Sequence, residues 1–166
     1  MRNEHVGLPQ SFRKADQLHR QGKLEQAERR YKAILSAYPG HFDTLHRLGV
    51  LKYQQGQSTK AFDFLSAALK ISPNDPLVLT NLGLVQATLG HPEEALASYD
   101  RALALKPEFP EALNRRGNAL RSLERYEEAL TNYDQAITLS PDFAEAHNSR
   151  GVALLDLKRP LDALES

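Results

Sequence analysis

The sequence lacks cysteine, and it also lacks any long apolar run. Without cysteine the chain cannot form disulfides, thiolate metal sites or a cysteine nucleophile. No stretch approaches the roughly 18 consecutive apolar residues of a membrane span, and the start, MRNEHVGLPQ, has no apolar run of signal-peptide length. We therefore expect a soluble cytoplasmic protein that does not engage membranes.

An excess of basic charge is missing as well. Lys and Arg number 21 and Asp and Glu number 21, so the net charge is zero, which argues against a nucleic-acid-binding protein. The charges are unevenly placed: residues 1–60 hold 11 basic and 5 acidic side chains, and residues 61–166 hold 10 and 16. This asymmetry either steers a charged partner and favours head-to-tail contact, or reflects solvated helix faces alone.

Motifs of catalysis and metal binding are missing too. The six histidines are scattered, no HExxH occurs, and the glycines are spread along the chain rather than gathered in a phosphate-binding loop. The acidic pairs Glu93–Glu94 and Glu127–Glu128 are adjacent, so they diverge on a helix and are expected to complement the helix dipole. We expect no enzyme activity from this segment, no metal site and no cofactor.

What the sequence does contain is a repeat with a period of 34 residues. Proline recurs at Pro39, Pro73, Pro107 and Pro141. A small residue recurs at Ala15, Gly49, Gly83, Gly117 and Gly151. Three further columns are Ala27, Ala61, Ala95, Ala129 and Ala163; Tyr31, Leu65, Tyr99 and Tyr133; and Ile34, Ala68, Ala102 and Ala136. A period this regular over the whole chain indicates a solenoid of stacked repeats.

Each repeat is interpreted as two helices. In the third repeat the first helix covers PLVLTNLGLVQATL and ends at Gly90, because glycine adopts the left-handed C-terminal conformation without steric cost. Glu124 and Lys158 occupy this place in the last two repeats, so those turns must close differently or bear strain. The second helix begins near Pro92, which suits a first turn, and ends before the next proline of the period.

The glycine inside the first helix needs an explanation, since it costs about 1 kcal/mol relative to alanine. Gly117 and Ala129 lie in the two small-residue columns, one on each helix of a pair. We expect small side chains there to let the two backbones approach closely, with the packing offsetting the lost propensity. Tyr133 and Ala136 share a face of the second helix and are expected to pack against the next repeat.

These columns resemble the tetratricopeptide repeat (TPR), a 34-residue helix–turn–helix, from about residue 8 to residue 166. The match is near consensus in EEALASYDRALALKP. The resemblance implies an all-α, right-handed superhelical solenoid of antiparallel helix pairs, whose first helices line a concave groove. The sequence is also similar to the TPR arrays of bacterial SPINDLY-type O-linked N-acetylglucosamine transferases, which implies substrate recognition for a catalytic domain outside this chain.

The period divides the chain into an N-terminal tail, 1–9, and a TPR array, 10–166. The repeats cover about 8–41, 42–75, 76–109 and 110–143, followed by a truncated fifth at 144–166. The second helix of the fifth repeat is predicted to begin at Pro160. Because an uncapped terminal repeat exposes an apolar face, we expect either a fragment of a longer protein or self-association through the uncapped end.

The candidate binding residues lie on the face that lines the groove. Asn114 and Asn118 are one helical turn apart, and Asn148 follows Asn114 by one period. A row of amides, each with a donor and an acceptor, can hold an extended peptide by its backbone; the alternative is a set of ordinary groove residues in contact with water. The candidates are Phe12, His19, His46, Val50, Tyr53, Asn81, Asn114, Arg115, Asn118, Arg121 and Asn148.

The predicted function is a protein–protein interaction scaffold that binds peptide segments or partner proteins in the concave groove. A few aromatic or arginine anchors are expected to supply most of the affinity. Two alternatives stay open: the substrate-recognition region of a longer O-GlcNAc transferase-like enzyme, and a self-assembling structural array.

Overall fold

A computed structural model of the chain describes residues 7–157, which contain nine helices and no strand. The helices are α1 (Gly7–Arg20), α2 (Leu24–Ala37), α3 (Phe42–Gln54), α4 (Ser58–Ile71), α5 (Pro76–Thr88), α6 (Pro92–Leu105), α7 (Pro110–Ser122), α8 (Tyr126–Leu139) and α9 (Ala144–Asp156). The all-α repeat predicted from the sequence is confirmed. Odd-numbered helices are the first helix of each repeat, and even-numbered helices are the second.

Two of the predicted segments, the N-terminal tail and the last helix, lie at the ends of the described residues. Helix α1 begins at Gly7, so residues 7–9 of the predicted tail are helical. The helix predicted to begin at Pro160 lies outside the described residues.

The helix starts follow local backbone chemistry. Asp75 precedes α5, and its Oδ1 accepts a hydrogen bond from the Val78 N–H at 2.9 Å, which satisfies one of the free amides of the first turn. Pro92 occupies the first turn of α6, where its missing N–H is not needed, and α6 ends at Leu105. These bounds confirm the helices predicted for the third repeat.

The turn between the two helices of a repeat closes in the same way in the four repeats whose turn lies within residues 7–157. Gly22, Gly56 and Gly90 have φ of 72°, 71° and 86°. Glu124 occupies the equivalent place with φ of 59°, and the next amide, that of Arg125, bonds the Leu120 carbonyl at 3.0 Å. The turn at Glu124 therefore keeps the left-handed geometry and bears its strain, roughly 1–2 kcal/mol for a residue with a Cβ.

The glycine inside α3, α5 and α7 faces a large side chain of the second helix in its own repeat. A Cβ added to Gly117 would lie 2.5 Å from Cε1 of Tyr133. The same arrangement recurs at Gly83 with Tyr99 and at Gly49 with Leu65. The expectation that small residues bring two backbones together was therefore incomplete, because at Gly117 a buried ring occupies the space. Tyr133 also belongs to a cluster with Ala153 and Leu154, as expected for contact with the next repeat.

The chain forms two compact bodies, which we call the N-terminal body (Met1–Pro73) and the C-terminal body (Asn74–Ser166). The core of the N-terminal body is built from Ala15, Ala27, Tyr31, Leu48 and Leu51. The main core of the C-terminal body includes Tyr99, Leu120, Tyr133 and Leu154. The predicted columns supply Ala15, Ala27 and the tyrosines of both cores, whereas the leucines, Leu48, Leu51, Leu120 and Leu154, were not among them.

Within the C-terminal body, the first helices and the second helices are spaced differently. Helix α7 contacts α5 on one side and α9 on the other, whereas no contact joins α6 to α8 in the part of the chain described. Both α6 and α8 pack on α7. We call the side formed by α5, α7 and α9 the first-helix face, and the side formed by α6 and α8 the second-helix face. On the second-helix face, α6 and α8 leave a gap between them above α7.

Candidate functional site

Three of the candidate residues follow one another along α7 on the first-helix face. Asn114, Asn118 and Arg121 are spaced by four and three residues, so they share one side of the helix. Asn114 is only 1% exposed, and neither Nδ2 nor Oδ1 has a hydrogen-bond partner within residues 7–157. A buried amide left in this state costs about 1–3 kcal/mol, so a polar ligand atom that reaches it is favoured.

The other two side chains of this row are already engaged. The Tyr133 hydroxyl donates to Oδ1 of Asn118 at 2.8 Å, and burial raises the pKa of Tyr133 to about 12, so the hydroxyl remains a donor at neutral pH. Arg121 Nη1 donates to Oδ2 of Asp156 at 3.1 Å and thereby links α7 to α9. Asn118 and Arg121 therefore have partners that stabilise the first-helix face, whereas the Asn114 amide has no hydrogen-bond partner within residues 7–157.

The three asparagines of the predicted row differ in accessibility. Asn148, on α9, is exposed, while Asn114, one period earlier, is enclosed. Asn81 and Arg115 lie on α5 and α7 and are partly buried. The structure therefore does not present a uniform ladder of amides. Asn148 is exposed, Asn114 is buried, and Asn118 accepts a hydrogen bond from the Tyr133 hydroxyl.

Apolar side chains are exposed on the two helices that flank α7. Leu77, in the first turn of α5, is 52% exposed. Leu155, at the end of α9, is 56% exposed and lies two helical turns after Asn148, on the same side of the helix. The first-helix face thus combines polar groups on α7 with apolar anchor positions on its neighbours.

In the N-terminal body, two of the candidates mainly serve packing. The Phe12 ring lies 6.1 Å from that of Tyr31 and 5.6 Å from that of His41. His19 is buried, with Nε2 2.9 Å from Oε1 of Gln54 and Nδ1 3.4 Å from the Tyr31 hydroxyl oxygen. These contacts join α1, α2 and α3, so both side chains have structural partners.

The remaining candidates of this body, His46, Val50 and Tyr53, lie on one side of α3 and are all partly buried. Asp16, which is not among the candidates, is bound by Arg20 at 2.7 Å and by Arg47 of α3 at 3.2 Å. The four-residue spacing of Asp16 and Arg20 was the available sequence signal.

An arginine–aspartate pair that recurs between successive repeats was also missed. Arg116 Nε lies 2.7 Å from Oδ1 of Asp100, and Arg150 Nε lies 2.7 Å from Oδ1 of Asp134, one period later. The sequence signal for this pair was an arginine directly before the repeating glycine, at Arg116 and Arg150. In the second repeat Leu48 occupies this position.

Residues 7–157 contain no group of three or more His, Cys, Asp or Glu side chains placed to hold a metal ion. Over the same residues, every helix is too short or too polar to cross a membrane.

The sequence matches two family models that describe the same kind of repeat. The model described as tetratricopeptide repeat matches residues 41–108, and the model described as TPR repeat matches residues 117–158. The two segments do not overlap and together cover about two thirds of the chain. Among curated proteins, none matches this sequence.

Several solved structures share the architecture. MamA 41-end from Desulfovibrio magneticus RS-1 is 20% identical with a TM-score of 0.85, over 95% of this chain and 89% of that one. YrrB, a TPR protein with an unusual peptide-binding site, is 24% identical with a TM-score of 0.75, over 93% and 80%. The first TPR of Spaghetti (RPAP3), bound to the HSP90 peptide SRMEEVD, is 26% identical with a TM-score of 0.67, over 70% and 93%.

Proposed function

Because this chain is built of tetratricopeptide repeats, we propose that it is a protein–protein interaction scaffold that binds a peptide segment of a partner on its first-helix face. Structural relatives with a peptide-binding site or a bound peptide support this kind of function. The observation that carries the proposal is the enclosed amide of Asn114, which has no partner within the described residues.

The chemistry of the face favours a particular kind of segment. The exposed Asn148 amide offers a donor and an acceptor, which match the C=O and N–H groups of an extended peptide backbone. The enclosed Asn114 amide offers the same pair once a peptide displaces the side chains that cover it. Leu77 and Leu155 offer apolar contacts on either side. Of the three arginines of α7, Arg116 bonds Asp100 on the second-helix face and Arg121 bonds Asp156, so Arg115 is the one that favours an acidic side chain in the peptide.

Two neighbouring asparagines give a matched test. The Asn114 amide bonds nothing within the described chain, so Asn114→Ala is expected to leave the free energy of unfolding unchanged or slightly raised. Asn118→Ala removes the acceptor of the buried Tyr133 hydroxyl and is expected to cost about 1–2 kcal/mol. Peptides selected from a displayed random library on the unaltered chain are then titrated against both variants.

We expect Asn114→Ala to weaken the selected peptides by about tenfold without loss of stability. We expect Asn118→Ala to lower stability with a smaller effect on binding. If the selected peptides bind Asn114→Ala as tightly as the unaltered chain, Asn114 is not part of the docking site. If the library yields no binder, peptide docking itself is contradicted.

Narrower functions stay predictions from the sequence. The matching family models name the repeat and no transferase, so a role in substrate recognition for sugar transfer depends on finding a nucleotide-sugar-binding domain in the same reading frame. Self-association is tested by the solution mass over a wide concentration range. The cytoplasmic location likewise stays a prediction.

A further inference from the structure

A cavity of about 550 Å³ opens on the second-helix face of the C-terminal body. It exists because α6 and α8 both pack on α7 but do not contact each other. Side chains of α6 and α8 form its walls, and side chains of α7 form its floor. Its size lies within the 300–1,000 Å³ that is typical of ligand pockets, so more than one large side chain can enter.

The inner surface of the cavity is largely apolar. Leu103 of α6, Leu113 of α7 and Leu139 of α8 all line it. Leu113 is buried, whereas Leu139 is 41% exposed at the edge. An apolar group that enters between α6 and α8 would cover these leucines and remove them from water, which is favourable in proportion to the area covered.

The single cation among the residues that line this cavity is neutralised by one carboxylate and is also bound by a neutral amide. Arg116 Nε donates to Oδ1 of Asp100 at 2.7 Å, and its Nη1 donates to Oδ1 of Asn132 at 3.2 Å. Glu108 stands exposed at the rim. An acidic ligand would have to displace Asp100, so the rim favours a basic one.

The surrounding face is acidic as well. Helices α6 and α8 contain Glu93, Glu94, Asp100, Glu127, Glu128 and Asp134 against the single basic residue Arg101. Three of these carboxylates are paired with arginines at 2.7 Å: Asp100 with Arg116, Glu128 with Arg125 and Asp134 with Arg150. Glu93, Glu94 and Glu127 therefore carry the acidic excess of the two helices. Charge complementarity across a docking surface speeds encounter and rejects partners of like charge.

We propose that this cavity is a second docking site, which takes a basic amphipathic segment of a partner protein. Apolar side chains of the segment enter between Leu103 and Leu139, and a flanking lysine or arginine side chain pairs with Glu108 at the rim. The site does not depend on the first-helix face, so a single chain can hold two partners of opposite charge.

The probe for this site is a short fluorescein-labelled peptide of leucine and lysine with its leucines at helical spacing. The control is the same peptide with glutamate in place of lysine. We expect fluorescence anisotropy to detect binding of the lysine peptide to the full chain, weakening as salt is raised, and no binding of the glutamate peptide. Equal binding of both peptides would overturn the proposal.

Two leucines give a matched test of the location. Leu139 and Leu105 occupy the same place in successive repeats and are 41% and 46% exposed, but only Leu139 lines the cavity. Leu139→Ser is expected to weaken the lysine peptide by about tenfold, and Leu105→Ser to change it less than about twofold. Equal effects of the two substitutions, or no effect of Leu139→Ser, would overturn the proposal. Both positions are exposed, so folding should be preserved.

Two glutamates separate specific docking from general charge attraction. Glu108→Lys and Glu93→Lys change the net charge equally, but only Glu108 lines the cavity. We expect Glu108→Lys to weaken the lysine peptide several times more than Glu93→Lys does. Equal weakening would mean unspecific attraction and would overturn the site. Asn114→Ala, on the other face, should leave binding of this peptide unchanged even if the first-helix face binds nothing.

Discussion

The ammonium group of Lys52 lies 2.6 Å from Oε1 of Glu28, although the lysine side chain is only 4% exposed. The same oxygen is bound by Lys32 at 2.7 Å, and Gln55 donates to Oε2 at 3.2 Å. Lys52 in turn donates to Oε1 of Gln55 at 2.9 Å. A buried charge is tolerated only when it is paired and hydrogen-bonded, and this network meets both conditions while it joins α2 to α3.

Removing the carboxylate charge should therefore be costly. Glu28→Gln leaves the Lys52 ammonium buried without a counter-charge, and we expect a loss of about 3 kcal/mol in the free energy of unfolding, measured with urea. Glu25→Gln, an exposed change on the same helix, is the control and should cost less than about 0.5 kcal/mol. Adding Lys52→Met to Glu28→Gln should recover most of the loss. A loss below about 1 kcal/mol in Glu28→Gln would show that the pair is dispensable.

The same pair predicts how stability depends on pH. Burial alone would raise the pKa of Glu28, but hydrogen bonds from Lys32, Lys52 and Gln55 together outweigh it and lower the pKa from 4.5 to about 2. The folded-state pKa thus lies below the unfolded one. Ionised Glu28 therefore stabilises the fold above about pH 4.5, and this stabilisation disappears as the pH falls towards about 2.

We expect this one group to account for roughly 2–3 kcal/mol of acid-induced loss. Urea unfolding of the unaltered chain and of Glu28→Gln, measured at several pH values, isolates the contribution, because the other carboxylates are common to both. The stability difference between the two proteins should shrink below about pH 4.5. A difference that is the same at neutral and acid pH would contradict the lowered pKa.

At the turn residues with left-handed backbone geometry, two substitutions are expected to change the free energy of unfolding in opposite directions. Glu124→Gly removes the strain of a residue with a Cβ at a φ of 59° and should raise the free energy of unfolding by about 0.5–1 kcal/mol. Gly90→Ala, at a φ of 86° with no atom within 4 Å of the new Cβ, introduces backbone strain alone and should lower it by about 1 kcal/mol. Thermal unfolding followed by circular dichroism measures both. Changes of the same sign would mean that backbone strain does not control these turns.

Gly117 predicts a conflict between helix propensity and packing. Gly117→Ala gains about 1 kcal/mol of propensity, but the new Cβ would lie 2.5 Å from Cε1 of Tyr133. The ring is buried and bonded to Asn118, so we expect the steric cost to prevail, with a net loss of about 1–2 kcal/mol in urea unfolding.

A double-mutant cycle separates the two contributions at Gly117. Once Tyr133→Ala has removed the ring, the Gly117→Ala change should become stabilising, because propensity then acts alone. If Gly117→Ala destabilises equally with and without the ring, contact with Tyr133 does not explain the glycine.

Much of the architecture could be predicted because it depends on short-range backbone chemistry. The first-turn proline at Pro92 and the left-handed glycine at Gly90 act within a few residues, so the helix bounds of the third repeat follow from them. The candidate site was predictable only in part. Spacing correctly placed Asn114 and Asn118 on one side of α7, but it could not show that Tyr133 binds one of them and leaves the other alone.

The sequence by itself determined the period, the two helices of each of the first four repeats and the small-residue columns, because each depends on backbone preferences and on residues a fixed distance apart. Only the tertiary structure decided which polar groups meet. Nothing in the sequence around Lys52 indicates that it is buried. Arg116 pairs with Asp100 only because α6 and α7 pack together. Hydrogen bonds and ion pairs act over a few ångströms in space, so their partners are settled by packing between helices rather than by order along the chain.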